Sequence, residues 1–490
     1  MILVKECAIM VNKIAVEALG DANMKVVKFG GSSLSSGSQI EKIFDIVISD
    51  QTRKAVVVSA PGKRHANDIK VTDLLIECAE AYLRKGKADS LVDNILDRYL
   101  GIARELRLSA DIMDEIESGL LYALNGDKTN PERYLDAVKA TGEDNNARLI
   151  AAYFQFRGIE ASYVNPKEAG LYVSDEPGNA QVLPESYDNL YKLREWPGLL
   201  IFPGFFGYSK DGEVLTFSRS GSDITGSILA NGMKAEVYEN FTDVDAVYSV
   251  NPSLVSHPKE IRELTYREMR ELSYAGFSVF HEEALIPAFR AGIPVNIKNT
   301  NNPSAPGTRI VNERSNTNGP VIGIASDGGF CSIYVSKYLM NREIGFGRRI
   351  LQIFEDFGLS YEHIPSGIDD ISIILRQNQI VNQQMEDEII SRITNELQAD
   401  EVHIEHNLAL VMVVGEGMRH NVGTTARASR ALAQAGVNLE MINQGSSEVS
   451  MMFGVMEEEA DTAVRALYDE FFGDYKQSIN SDPRSNFTSI

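Results

Sequence analysis

Residues 24–33 read Met-Lys-Val-Val-Lys-Phe-Gly-Gly-Ser-Ser, and an apolar pattern at helical spacing follows through Ile40, Ile43, Phe44, Val47 and Ile48. A β-forming run thus ends in a lysine, turns on two glycines and enters a helix. Glycines let a backbone approach an anion closely, and the first N–H groups of a helix point at it unsatisfied. Lys28 adds a full positive charge. The same residues also read as an ordinary glycine turn opening a βα unit. The stretch is not a Walker A loop, because its lysine precedes the glycines. Strand-like and helix-like stretches go on alternating to about residue 315: a strand at 54–59, an amphipathic helix at 72–83, strand then loop at 198–207, and strands at 235–238 and 294–298. Such alternation predicts a mainly parallel sheet covered by helices on both faces. Residues 87–138 are charged and helical, and read as a surface excursion.

The chain of 490 residues is long enough for two to four domains. Its net charge of −22 argues against nucleic-acid and anionic-membrane partners, which need clustered Lys and Arg. Cys7, Cys78 and Cys331 are scattered, with no zinc-binding spacing, so a reducing cytoplasm and no protein-held metal are expected. No apolar run is long enough to span a membrane. Residues 1–23 precede a natural-looking start at Met24 and read as an extension or an upstream start assignment.

Residues 299–320 are rich in Asn, Pro, Ser, Thr and Gly and read as a linker. Beyond them lies an internal repeat. Gly358-Leu359-Ser360-Tyr361-Glu362 matches Gly436-Val437-Asn438-Leu439-Glu440, and Asp370-Ile371-Ser372-Ile373-Ile374 matches Glu448-Val449-Ser450-Met451-Met452. Met340 matches Met418 and Gly345 matches Gly423, always 78 residues apart. Each copy reads β, turn, α, β, turn, β, with closing helices at 385–397 and 457–472. The strand at 321–326 stands ahead of the first copy and is expected to pair with the second. The repeat reads either as a small-molecule sensor or as a duplicated packing unit without a ligand.

Two more loops feed helix starts. Ser218-Arg219-Ser220-Gly221-Ser222-Asp223 precedes the helical run from Ile224; Arg219 suits a bidentate grip on a carboxylate, and Asp223 suits either a site or a helix cap. Thr141-Gly142-Glu143 is expected to open a helix at 144–156, where Glu143 would favour the dipole as a plain first-turn acid. Thr242-Asp243-Val244-Asp245-Ala246-Val247-Tyr248 follows a strand as a third loop.

Lys-Phe-Gly-Gly-Ser-Ser at 28–33, Thr-Gly-Glu at 141–143 and Arg-Ser-Gly-Ser-Asp at 219–223 together resemble the amino acid kinase family, aspartokinases in particular, and the C-terminal repeat resembles paired ACT domains. The resemblance implies an α/β fold: a three-layer sandwich with a mainly parallel sheet, plus two ferredoxin-like ACT domains. It implies a catalytic domain at 24–315, a first ACT domain at 329–404, a second at 320–328 with 405–475, and a flexible tail at 476–490. It implies phosphoryl transfer from ATP, with Mg²⁺ bridging phosphates, to the side chain of L-aspartate, in lysine, threonine and methionine biosynthesis. A carboxylate acceptor with a pKa of about 3.9 is already ionised, so no general base is needed. By resemblance Lys28 and Asp223 are catalytic, Gly30, Gly31 and Ser32 form the phosphate loop, and Glu143 takes the substrate ammonium. Arg219 takes its α-carboxylate, while Ser59, Ala60, Thr72, Phe205 and Ser222 line the pocket. Thr242, Asp243 and Tyr248 frame the adenosine. Met340, Gly345, Phe346, Tyr361, Glu362 and Asp370 line an amino-acid effector site, with lysine the expected effector and ACT-paired homodimers or larger homo-oligomers the expected assembly. Glu362 and Asp370 read equally as solvated edge charges.

Three positions depart from the family pattern. Ser220 replaces a usual glycine. Ser253 stands for an arginine and Ser278 for a lysine that touch ATP, leaving Lys234, Lys259 or Lys298 to compensate, or ATP to bind more weakly. His281 matches a family histidine and reads as structural. The alternatives are another amino acid kinase, such as a glutamate 5-kinase or acetylglutamate kinase, and a catalytically silent amino-acid sensor.

Overall fold

The computed structural model describes residues 23–218, 220–277, 282–314, 319–445, 447 and 449–480. They form two compact units: the first ends its main run at Val247 and adds 261–266 and 279–314; the second takes 248–260, 267–278 and everything from 315 on. Two stretches of the kinase-like sequence therefore belong to the second unit. Among the described residues no helix is long and apolar enough to cross a membrane.

The first unit is built on an eight-stranded sheet. Its strands are β1 (Lys25–Phe29), β2 (Arg53–Val58), β3 (Ala161–Tyr163), β4 (Leu199–Pro203), β7 (Val237–Thr242), β10 (Glu263–Thr265), β11 (Val295–Asn299) and β12 (Thr308–Val311), in the order β10-β12-β11-β7-β1-β2-β4-β3. Every pairing is parallel except β11 with β12. β5 (Phe206–Tyr208) and β6 (Val214–Thr216) form a separate hairpin, and two-residue strands β8 (Val247–Tyr248) and β9 (Glu260–Ile261) lie where the chain passes between units.

The helices of this unit are α1 (Gly37–Ile48), α2 (Val71–Lys85), α3 (Asp89–Glu105), α4 (Asp111–Leu124), α5 (Pro131–Phe156), α6 (Glu185–Tyr191) and α7 (Gly221–Gly232). Val26, Val27, Val56, Val57 and Val58 are wholly buried, as expected for central parallel strands covered on both faces. Burying each such side chain contributes roughly 1.5–3 kcal/mol. Phe29 stacks on Phe241 at 5.0 Å between centroids, locking β1 to β7. The expected surface excursion is corrected here: α3 and α4 send Ile95, Tyr99, Ile102, Ile116, Leu120 and Leu124 into the same core as β1 and β2. Their charges occupy only the outer faces, which is what an amphipathic core helix looks like in sequence.

The second unit holds a five-stranded antiparallel sheet in the order β14-β13-β15-β17-β16, with β13 (Gly323–Ser336), β14 (Asp370–Arg376), β15 (Glu401–Val414), β16 (Met441–Asn443) and β17 (Ser450–Met456). Helices α10 (Phe346–Asp356), α11 (Gln383–Leu397), α12 (Thr424–Gln434) and α13 (Ala460–Asn480) cover it, over two apolar cores. The 78-residue spacing recurs in three dimensions. Gly345 (φ 80°) and Gly423 (φ 91°) start the equivalent helices α10 and α12 in the left-handed conformation. β13 and β15 are each shared between the copies: Gly323–Asp327 pairs with Leu410–Val414, and Ser332–Ser336 with Glu401–Glu405. The register shifts at their midpoints, where Gly329 (φ 77°) and Asn407 (φ 58°), also 78 apart, take left-handed backbone.

Two helices of the kinase-like sequence remain: α8 (Tyr266–Tyr274), which the second unit takes from Arg267 on, and α9 (Ile286–Ala291) in the first unit.

Candidate active site

The parallel sheet puts the ends of β1, β2 and β7 side by side, so three loops meet at one edge. Lys28 aligns with Val57 of β2 and Asn240 of β7. Its side chain is buried, and Nζ lies 2.6 Å from Asp223 Oδ1 at the start of α7. Sequence reasoning left Asp223 as site residue or cap; its carboxylate is turned to Lys28. A largely desolvated ion pair of this kind contributes little net stability, since desolvation offsets its attraction. Its value is that a charge is held in place where the glycine turn follows.

That turn is tight. The Gly30 N–H donates to Phe241 O at 3.2 Å, and Gly62 N donates to Gly31 O at 2.8 Å. A Cβ on Gly31 would meet Ala60 O at 3.0 Å, so the glycine is needed for the close approach of the β2 loop. Ser32 is exposed, and Ser33 Oγ bonds Thr300 Oγ1 at 2.7 Å, anchoring the turn to the end of β11. Arg98 braces the β2 loop from outside, donating to Gly62 O at 2.6 Å and Ile69 O at 2.8 Å and pairing with Asp68 at 3.1 Å.

Glu143 corrects one expectation. It does not open a helix; α5 begins twelve residues earlier, with Asn130 as cap and Pro131 in the first turn. Thr141-Gly142-Glu143 lies mid-helix, and Gly142 brings α5 against Ala60 and Leu75, each 3.0 Å from where a Cβ would sit. Glu143 is buried. Its Oε1 accepts from Ala60 N at 3.0 Å, and its Oε2 has no partner. Burial pushes its carboxyl up to about 8, against the opposing pull of the Ala60 and Glu143 N–H groups and of Lys139. Lys139 is itself held by Asp136 at 2.7 Å and stands 5.7 Å from the Phe205 ring. A buried carboxylate oxygen without a donor is costly, and it marks a place where a cationic ligand group would be favoured.

Ser59 and Ala60 follow β2 directly; Ser59 O accepts from Asn146 Nδ2 at 2.6 Å, so α5 holds this loop from two side chains. Thr72 is in the first turn of α2 and half-buried. Phe205 takes a left-handed backbone (φ 78°), and its N–H donates to Thr225 Oγ1 at 2.9 Å, which in turn donates to Gly221 O at 3.0 Å. Gly221 has to be glycine, because a Cβ would lie 2.4 Å from the Phe205 ring. Ser222 is buried in the first turn of α7, against Gly204. Ser220 sits at φ 60°, which explains why the resembled family uses glycine there. Arg219, Ser278 and His281 lie outside the described residues.

Thr242 ends β7 and Asp243 follows it, with Thr242 O accepting from Thr300 N at 2.9 Å; Tyr248 belongs to the second unit. Of the lysines weighed as replacement cations, Lys298 aligns with Phe241 at this end of the sheet, its Nζ 5.9 Å from that ring. Lys234 follows the C-terminus of the 12-residue helix α7, about 18 Å from its start. Lys259 is in the second unit.

Of the expected effector residues, Met340 and Phe346 are buried in the first ACT-like core, Gly345 starts α10, and Tyr361 is half-exposed. Asp370 aligns with Ser336, beside the loop whose Asn341 N donates to Ile368 O at 3.1 Å. Glu362 is elsewhere: its N–H donates to Ile374 O at 2.7 Å, four residues further along β14, or about 13 Å from Asp370. It is engaged by Tyr274 and lies 3.8 Å from Arg376. The two acids therefore stand at different places along β14.

Sequence reasoning missed Lys139, Asn146, Thr225 and Asn240. Asn240 was detectable, as the second of two consecutive polar residues, Glu239-Asn240, in a strand buried on both faces.

Residues 23–299 match the family model for the amino acid kinase family, and residues 411–471 match one for an ACT domain. Aspartokinase 3 of Bacillus subtilis is 72% identical over 449 residues, covering 92% of this chain and 99% of that protein. The crystal structure of Clostridium acetobutylicum aspartate kinase aligns with a TM-score of 0.81 at 37% identity, over 91% of this chain and 100% of that one. E. coli aspartokinase III, at 25% identity, aligns with TM-scores of 0.74 in complex with aspartate and ADP (R-state) and 0.71 with lysine and aspartate (T-state), each over 92% of this chain and 100% of that one. The family model, the relative at 72% identity and the shared fold agree: the chain belongs to the amino acid kinase family and, within it, to the aspartokinases.

Proposed function

We propose that this chain transfers the γ-phosphoryl group of ATP to the β-carboxylate of L-aspartate, giving 4-phospho-L-aspartate and ADP at the head of lysine, threonine and methionine biosynthesis in the cytoplasm. The observation that carries the reading is Glu143, a buried acid with one oxygen held and one unpartnered, next to the Gly30-Gly31 turn. An amino acid offers one ammonium for that oxygen and a side-chain carboxylate for the phosphoryl group.

The attacking carboxylate needs no base, so catalysis here is positioning and charge neutralisation. Lys28 and the N–H groups of Gly30, Gly31 and Ser32 meet the charge of the transferring phosphoryl and the leaving diphosphate. Asp223 holds Lys28. Glu143 takes the α-ammonium, Arg219 the α-carboxylate, and Ser59, Ala60, Thr72, Phe205 and Ser222 shape the pocket. Thr242 and Asp243 frame the adenosine, with Lys298 the replacement cation. Mg²⁺ would enter as part of the nucleotide substrate and neutralise charge on its phosphates.

Regulation is read into the second unit: an amino-acid end product, lysine first, binds beside the loop at 340–346 with Asp370 and stabilises a low-activity state of an ACT-paired homodimer. Supporting it, Ile344 and Val422, at equivalent places in the two copies, are fully exposed apolar side chains. The test of the catalytic reading is ADP release with aspartate, glutamate or neither. Turnover with aspartate alone supports it; equal turnover with glutamate, or none with either, overturns it.

A further inference from the structure

Asp223 is held by more than Lys28. Asn240 Nδ2 donates to the same oxygen, Asp223 Oδ1, at 2.5 Å, and its second hydrogen goes to the Tyr238 hydroxyl oxygen at 3.1 Å. The Tyr238 hydroxyl donates onward to Asp223 O at 3.2 Å. The direction of this chain is fixed by chemistry: a carboxylate and a carbonyl only accept, so Tyr238 must donate and Asn240 must present its amide nitrogen to both. Asn240 and Tyr238 are 2% and 0% exposed, so water does not substitute for either. The bracket reaches α7 only because residue 226 is glycine; a Cβ there would lie 2.4 Å from the Tyr238 hydroxyl.

We propose that Asn240, backed by Tyr238, is a positioning residue for the phosphoryl-transfer step: it fixes the Asp223 carboxylate independently of Lys28, so that Lys28 can turn to the phosphoryl group without Asp223 moving or being left without a donor. The inference rests on the assignment of Lys28 and Asp223 above. Without Asn240, each engagement of Lys28 with phosphate would leave a partly buried carboxylate without a protein donor at Oδ1, which is unfavourable. Lys28 would then stay with Asp223.

The test uses Asn240→Leu, nearly isosteric but without a donor, and Tyr238→Phe, which removes one oxygen atom. Steady-state kinetics of the full chain would be read with melting curves alongside. Asn240→Leu should lower kcat by about 10- to 100-fold, the scale of a small misplacement at a reacting centre, with KM for aspartate and ATP within about twofold. Tyr238→Phe should lower kcat less, and the double variant should fall no further than Asn240→Leu alone, because the two act as one unit. A purely structural role would lower the melting temperature and leave kcat per folded enzyme unchanged; that result in both variants overturns the proposal, as does a loss carried by KM. Should Asn240→Leu not fold, Tyr238→Phe decides on the same criteria. Asp223→Ala is the control for the reading beneath: if it keeps turnover, the site assignment fails, whereas a dead Asp223→Ala beside fully active Asn240→Leu and Tyr238→Phe sinks this inference alone.

Discussion

The unpartnered oxygen of Glu143 predicts that aspartate binding expels a proton. Burial raises this carboxyl from an ordinary 4.5 to about 8. An ammonium pairs with the ionised form only. At pH 7 a group titrating near 8 is about 90% protonated, so each aspartate bound should release about 0.9 proton. The apparent affinity should climb about 50-fold between pH 6 and pH 8, since the competent fraction rises from about 1% to about half. The assay is isothermal titration with aspartate at pH 7 in two buffers of different ionisation heat, which gives the proton count, plus Kd at pH 6, 7 and 8. Glu143→Gln keeps the shape and loses the charge; its binding should be weaker at pH 8 and flat across the range. Release of under about 0.3 proton, or a slope that survives in Glu143→Gln, refutes the reasoning. In the unliganded enzyme the same titration should act on stability with the opposite sign. A carboxyl raised on folding contributes stability that is complete below 4.5 and is lost as pH rises through about 8. Up to about 5 kcal/mol of stability is at stake. Urea midpoints of Glu143→Gln should therefore gain on wild type as pH rises from 5 to 8.

Lys28→Ala should lower kcat by roughly 10² or more with aspartate KM little changed, as when one preorganised stabiliser is removed; near-normal turnover would refute its role. Gly226→Ala should destabilise the first unit by about 1–3 kcal/mol in urea, because its Cβ meets the Tyr238 hydroxyl at 2.4 Å; an unchanged midpoint would mean α7 and β7 separate freely. In assays against lysine, threonine and both, lysine should inhibit, and Asp370→Asn should weaken that inhibition about tenfold, the effect of one lost charged contact, while Glu362→Gln changes it less. Inhibition by threonine without any by lysine would overturn the effector choice.

The alternation of strands and helices and the Lys28 turn were legible because each is a local pattern: period 2 or 3.6 and glycines where backbones meet. The 78-residue repeat was legible because equivalent residues face equivalent surroundings, down to the left-handed Gly345 and Gly423. The misreadings came from residues whose surroundings are set at a distance. Glu143 looked like a first-turn acid because Thr141-Gly142 resembles a helix start, yet the helix had already begun at Pro131 and the glycine serves a helix–loop contact. The helices at 87–138 looked superficial because their charges are counted along the chain, while their buried faces are defined only by what packs on them. Glu362 and Asp370 are eight residues apart in sequence, but the backbone between them doubles back along β14 and carries them to different places.

β7 shows how polar residues in a buried strand can be sorted by what they hold. Glu239 and Asn240 are consecutive, so their side chains leave opposite faces of the sheet. On one face Glu239 accepts from Arg53 Nε at 2.6 Å, and Arg53 continues to Ile46 O and Ser49 at the end of α1. Each end of that chain is structure: a helix terminus whose free carbonyls need donors. Its removal would cost stability and leave the chemistry alone. On the other face Asn240 leads to Asp223 and thence to Lys28, whose ammonium lies 3.5 Å from where a Gly30 Cβ would be, at the mouth of the turn. That chain ends at a cation at the mouth of the turn rather than at a backbone group. A strand that places a structural bracket and a catalytic bracket on adjacent residues predicts opposite phenotypes one position apart: Arg53→Met should lower the unfolding midpoint with kcat intact, and Asn240→Leu should lower kcat far more than stability. If both variants lose stability and activity in the same proportion, the two faces are one cooperative unit and the division drawn here is wrong.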